Sequence, residues 1–115
     1  MQITDIEILV QRRAPNPTPI TDALQALPGA GSVTVRLTTD EGVRGEGSAS
    51  FGRIAGAPEA LAALIEYELK PLILGQDPVM VRHLHGSMLR ETEYHGSAGL
   101  ATFGISAVDT AIWDC

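Results

Sequence analysis

VTVRLTTDEGVRGEG, residues 33–47, is the stretch that decides the fold. Val33, Val35 and Leu37 alternate with Thr34, Arg36 and Thr38, the period of two of a strand with one covered face. Asp40-Glu41-Gly42 then forms a short link suited to a three-residue hairpin loop, with Gly42 supplying the positive φ that other residues adopt only at a cost. VRGEGSA follows as the returning strand. Its Gly45 and Gly47 share a face with Val43, so another backbone or ring is expected to approach closely there. Upstream, Ile6, Ile8 and Val10 alternate with Asp5, Glu7 and Gln11, which predicts a further strand. The first half is therefore expected to be a three-stranded antiparallel meander.

Helical spacing replaces strand spacing at APEALAALIEYELK, residues 57–70. Leu61, Leu64, Ile65 and Leu69 share a face, Pro58 suits the first helical position, and Glu59 complements the positive helix end. Pro71 is expected to stop this helix near Leu69, because the residue before a proline is pushed out of helical geometry. Asp77-Pro78 predicts the start of a second helix, with Val81, Leu84 and Met88 as its apolar stripe. Ser97 is expected to cap a third, from about residue 98, whose buried face is Leu100, Phe103, Ala107, Val108, Ala111, Ile112 and Cys115. No Gly, Asn, Pro or basic residue marks an end to that helix, which is therefore expected to run on into further structure. Strands first and helices afterwards define an α+β fold.

Composition excludes several classes of function. The chain has 115 residues, the size of one domain, and a net charge of −6 with a pI near 4.8. Phosphate backbones and anionic headgroups are bound chiefly by clustered Lys and Arg, so neither nucleic acid nor a membrane surface is an expected partner. The single cysteine, Cys115, allows no internal disulfide. The opening MQITDIEILVQRR carries acids where a signal peptide carries bases, and no run approaches the ~20 apolar residues of a membrane span. A soluble, cytoplasmic protein is the expectation.

Two connections exceed the usual ~4–6 residues: 14–31, which holds Pro15, Pro17, Pro19 and Pro28, and 48–57, SASFGRIAGA. Long loops in compact domains are either binding loops or plain surface. Arg53 is a lone arginine in the apolar FGRIAG, where its planar fork could grip a carboxylate or simply face water. Elsewhere the chemistry is thin. ETEYH, residues 91–95, could present Glu91, Glu93 and His95 from an extended segment, but nothing else fixes a metal there and a solvated polar loop is the preferred reading. His83 and His85, two apart on a helix, point away from each other and cannot chelate together. Asp109 beside the last apolar stripe reads as catalytic or as a structural carboxylate bonded to backbone donors. The GEG glycines lack the strand, loop and helix order of a nucleotide site.

ITDIEILV, VTVRLTTDEGVRGEG, LKPLILGQDP, the His95-Gly96 pair and SAVDTAIWD, taken in that order along the whole chain, resemble the N-terminal capping domain of the enolase superfamily, mandelate racemase and muconate lactonizing enzyme branch. The resemblance implies that residues 1–115 are a lid domain. Its last helix would lead into a (β/α)8 barrel outside this chain. It implies an Mg2+-dependent parent enzyme that removes the proton α to a carboxylate, as a sugar-acid dehydratase or 2-hydroxyacid racemase, or else as a cycloisomerase or dipeptide epimerase. The Mg2+ ligands and the catalytic base would lie on the barrel, so neither catalytic nor metal-binding residues are expected here; Lys70 is the only lysine. The two long loops match the family's substrate-capping loops, which makes Ile20 and Thr21 of the first and Phe51, Arg53 and Ile54 of the second the candidate substrate contacts. A small carboxylate, the chain's own barrel and further copies of the parent in a homo-oligomer are the implied partners. The reading from another class is a free-standing α+β interaction module that covers its last helix with a partner.

Overall fold

The computed structural model describes residues 1–115 apart from Pro15, Pro28, Ala30 and Phe51. Strands β1 (Ile3–Arg12), β4 (Gly31–Thr39) and β5 (Arg44–Ser50) form an antiparallel sheet in that spatial order, the expected meander. Gly42 closes the β4–β5 link at φ 81°, with Thr39 and Val43 bonded across the turn. Within the first long connection the chain makes a small hairpin of β2 (Ile20–Thr21) and β3 (Ala26–Leu27), which strand periodicity had not foretold. In β1, Ile3 and Ile6 are both buried although three residues apart. A bulge between Ile3 and Asp5 takes up the odd residue and returns both side chains to the covered face.

One face of the sheet is covered by helices. The first helical rod runs through α1 (Ala57–Leu64), a π turn (Ile65–Leu69) and α2 (Lys70–Ile73), and so passes Pro71 rather than stopping at Leu69. In a straight α-helix the Pro71 ring would meet the carbonyl four residues back. Here the N–H of Lys70 reaches the carbonyl of Ile65, five back, and the wider turn makes room. The same turn keeps Leu61, Ile65, Leu69 and Ile73 on one buried line, since each four-residue step of a pure α-helix would overshoot by about 40°.

The second helix, α3 (Val81–Glu91), starts three residues after Pro78. Asp77 heads a turn first, its carboxylate accepting the N–H of Val79 (3.0 Å) and its carbonyl that of Met80 (3.0 Å). Leu84 and Met88 are buried and Val81 half-buried, as the stripe predicts. The last helix, α4 (Leu100–Asp114), begins at Gly99 (φ 81°) with no side-chain cap; Ser97 instead accepts the hydroxyl of Thr102 at its carbonyl. Its buried face also differs from expectation at the first turns, where Ala101, Gly104 and Ile105 point inward and Phe103 is 41% exposed. A Cβ at Gly104 would come within 2.8 Å of Leu64 Cδ2, so the rod packs closely on α4 at this glycine, through side-chain tips of the rod.

α4 lies against β4 and β5, and the two strand glycines are the reason it comes so close. A Cβ on Gly45 would collide with the carbonyl of Ala111, and one on Gly47 with that of Ala107. Both outer edges of the sheet are also engaged. Ile3 exchanges bonds with the segment after the rod, donating to Gln76 (2.9 Å) and accepting from Gly75 (2.8 Å), and the N–H of Glu46 on β5 donates to the Asp114 carboxylate (2.9 Å).

Candidate functional site between the two long loops

The first loop leaves β1 at Arg12 and rejoins the sheet at Gly31, residues paired across the sheet. A Cβ at Gly31 (φ 126°) would overlap the Gln11 carbonyl, so the return is as tight as glycine allows. Inside the loop, Asp22 builds the hairpin turn. Its carboxylate accepts the N–H of Leu24 (2.8 Å) and of Gln25 (2.9 Å), while its own N–H donates to the Gln25 carbonyl. These bonds favour the ionised form and hold the Asp22 carboxyl below its ordinary range. The turn sets Ile20 opposite Leu27.

The second loop leaves β5 at Ser50. Gly52 adopts φ 84° beside Ala57, and the N–H of Ala57 donates to Ile54 (3.0 Å) to enter α1. Between the two loops lies a cleft of about 530 Å³. Ile20, Gln25 and Leu27 come from the first loop, Ser50, Gly52 and Arg53 from the second, Arg13 from the end of β1 and Phe103 from α4. Among the described residues no acid lines it. Two guanidiniums, Arg13 and Arg53, do, and neither has an ion-pair or hydrogen-bond partner among the described residues. In a chain of net charge −6 this is a local reversal of sign, and low-dielectric walls focus such a field.

Of the five residues singled out from sequence, the structure places Ile20 and Arg53 on this cleft. Thr21 is exposed on β2 and Ile54 is 79% exposed, and neither lines it. Phe51 lies outside the described residues. Arg13 and Phe103 were missed: Arg13 follows a strand whose alternation stops short of it, and Phe103 fits the helical stripe equally well when that stripe is rotated.

The other candidates are dispersed. Glu91 ends α3, and Glu93 and His95 belong to a 3-10 turn (Glu93–His95), not to the extended segment that a shared metal would need. His95 is held 2.6 Å from Glu68 of the π turn. His85 is half-buried with its Nδ1 3.2 Å from Oδ1 of Asp109, whereas His83 is exposed. That Asp109 oxygen is enclosed yet has no well-aligned hydrogen-bond donor among the described residues, so the contact is a close approach of imidazole and carboxylate and not the backbone bonding one reading expected. Among the described residues no three His, Cys, Asp or Glu side chains are grouped to hold a metal ion, so they do not fit a resident Mg2+. No helix built of the described residues is long and apolar enough to cross a membrane.

Residues 5–115 match the mandelate racemase / muconate lactonizing enzyme N-terminal domain, and the chain belongs to that family, within the enolase superfamily. The 3,6-anhydro-alpha-L-galactonate cycloisomerase of Streptomyces coelicolor is 35% identical over 89% of this chain and 28% of its own length. The arabinonate dehydratase of Saccharolobus solfataricus is 35% identical over 81% of this chain and 25% of its own. A racemase from Streptomyces coelicolor A3(2), solved with bound magnesium, superposes with a TM-score of 0.81 at 30% identity, covering 96% of this chain and 30% of that one. The chain thus spans between a quarter and a third of the length of these relatives.

Proposed function

We propose that this chain is the substrate-capping lid of a longer, Mg2+-dependent enzyme that abstracts the proton α to a carboxylate. Sugar-acid dehydration is the leading reaction and 2-hydroxyacid racemisation the next. One observation carries the reading: two long loops from the same end of the sheet meet at a cleft lined by two unpaired guanidiniums and by no acid among the described residues. Arginines so placed attract an anionic substrate and hold it by charge-assisted bonds. Ile20, Leu27 and Phe103 add apolar wall that excludes water from the reacting end. Proton transfer and metal binding belong to residues beyond this chain, in a C-terminal barrel, and the described residues contribute binding, orientation and shielding.

The relatives support the reaction class, several of them bearing the names of sugar-acid dehydratases. Cycloisomerisation is the second reading, favoured by the S. coelicolor relative, and dipeptide epimerisation a third, since the L-Ala-D/L-Glu epimerase of Bacillus subtilis shares the fold at a TM-score of 0.77 and 25% identity. The test is proton NMR in D2O on the intact parent with Mg2+ and a panel of aldonic, aldaric and 2-hydroxy acids. Loss of the C2 proton signal, with or without release of water to give a 2-keto-3-deoxy acid, is the expected result. A parent that exchanges no α-proton on any of these acids overturns the sugar-acid and hydroxyacid readings.

A further inference from the structure

Arg12 lies at the point where both loops are anchored. Its backbone, paired with Gly31, closes the neck of the first loop, and its side chain crosses to the second. One guanidinium nitrogen pairs with a carboxylate oxygen of Glu59 in the first turn of α1, and another donates to the carbonyl of Ala55 (3.3 Å). The other Glu59 oxygen is enclosed and has no hydrogen-bond partner among the described residues, so this carboxylate is held against the protein with Arg12 as its counter-charge. Residues on either side of the two anchor points, Arg13 and Arg53, are the two cations of the cleft.

We propose that Arg12 is a positioning residue that couples the two loops, so that they close over substrate as one body and set the spacing between Arg13 and Arg53. The proposal rests on the capping reading. A guanidinium suits the task because its planar fork serves a carboxylate and a carbonyl at once, which an ammonium cannot do with the same geometry. Its exposed position makes the clamp breakable, as a lid hinge must be: surface ion pairs are individually weak, and a weak tie lets the loops open for exchange of substrate and product.

The experiment uses the intact parent with Arg12→Ala, Arg12→Lys, Glu59→Gln and the Arg12→Ala/Glu59→Gln double variant. Hydrogen exchange of peptides covering residues 13–30 and 52–56 is read beside steady-state kinetics. Arg12→Ala and Glu59→Gln are each expected to speed exchange of both loops by about two- to fivefold. The double variant should be no worse than either single one, and Arg12→Lys should restore part of the protection. KM for an acid that reaches the cleft should rise more than kcat falls. Additive effects, faster exchange confined to either loop, or unchanged exchange in both would overturn the coupling. Coupled exchange with unchanged kinetics would uphold the clamp and instead count against the capping role of the loops.

Discussion

The two ends of α4 meet opposite environments. Along its last two turns the helix backbone rests directly on β5, where Gly45 and Gly47 leave no side chain between strand and helix, and Ala107, Val108, Ala111 and Ile112 are buried. At its first turn Phe103 stands partly exposed beside a cleft lined by two cations and by loop residues, among them those of a hairpin of two-residue strands. The difference is one of tolerance. A close-packed interface has no slack, so a single methyl group is felt throughout it. The cleft gains from variation, because loop side chains can change what is bound while the sheet beneath them keeps its geometry.

The contrast breaks most severely at the strand glycines. Gly47→Val sets a branched side chain against the α4 backbone, and destabilisation of about 4 kcal/mol or more is expected, enough to remove most of a domain's stability. Urea denaturation measures it; a loss below about 1 kcal/mol would show that α4 can lift from the sheet at little cost. Leu37→Ala, which empties a fully buried site without forcing backbones apart, should cost about 3 kcal/mol by the same measurement. Arg53→Ala should leave stability within about 0.5 kcal/mol. In the intact parent it should lower kcat/KM for a diacid by about tenfold to a hundredfold, from the loss of a charge-assisted bond to the remote carboxylate, and affect a monoacid with an apolar tail little. Equal losses on both substrates, or none, would leave Arg53 an ordinary surface arginine.

The smallest effect concerns Asp22. Its carboxyl is held below its ordinary range by the N–H groups of Leu24 and Gln25, so its contribution to the small hairpin is present above the unfolded value of about 3.9 and is lost as pH falls through the lower folded value. Asp22→Ala should therefore lower the protection of the Leu24 and Gln25 amides, relative to their intrinsic exchange rates, at neutral pH and remove the difference in that protection between neutral and strongly acidic solution. Unchanged exchange would mean that β2 and β3 hold the turn without it.

Where the physics is local, the sequence already spells it out. The β4–β5 hairpin, its Gly42 and the close approach at Gly45 and Gly47 follow from alternation and turn chemistry within fifteen residues. What escaped needed information from elsewhere in the chain. Pro71 ends a helix by local rules, and only a π turn upstream lets it pass. Ala101 and Gly104 turn inward against the first helical rod, with Leu64 some forty positions away beside Gly104, so the rotation of α4 could not be read from α4 alone. The site was half legible for the same reason. Loop length marked both walls of the cleft, but that Arg13 and Arg53 share it is a property of the sheet that brings residues 13 and 53 together.

The bonds at the rims of the sheet have a consequence for association. A three-stranded sheet offers two edges at which unpaired N–H and C=O groups could recruit a strand from another molecule, the first step toward cross-β aggregation. At the start of β1 those groups are taken by Gly75 and Gln76, and in the middle of β5 the Asp114 carboxylate occupies the N–H of Glu46. A carboxylate can only accept, so at that position it also sets a negative charge where an incoming carbonyl oxygen would have to dock. Each edge is thereby interrupted at one position within the chain's own fold, by a loop segment on one side and by a side chain on the other.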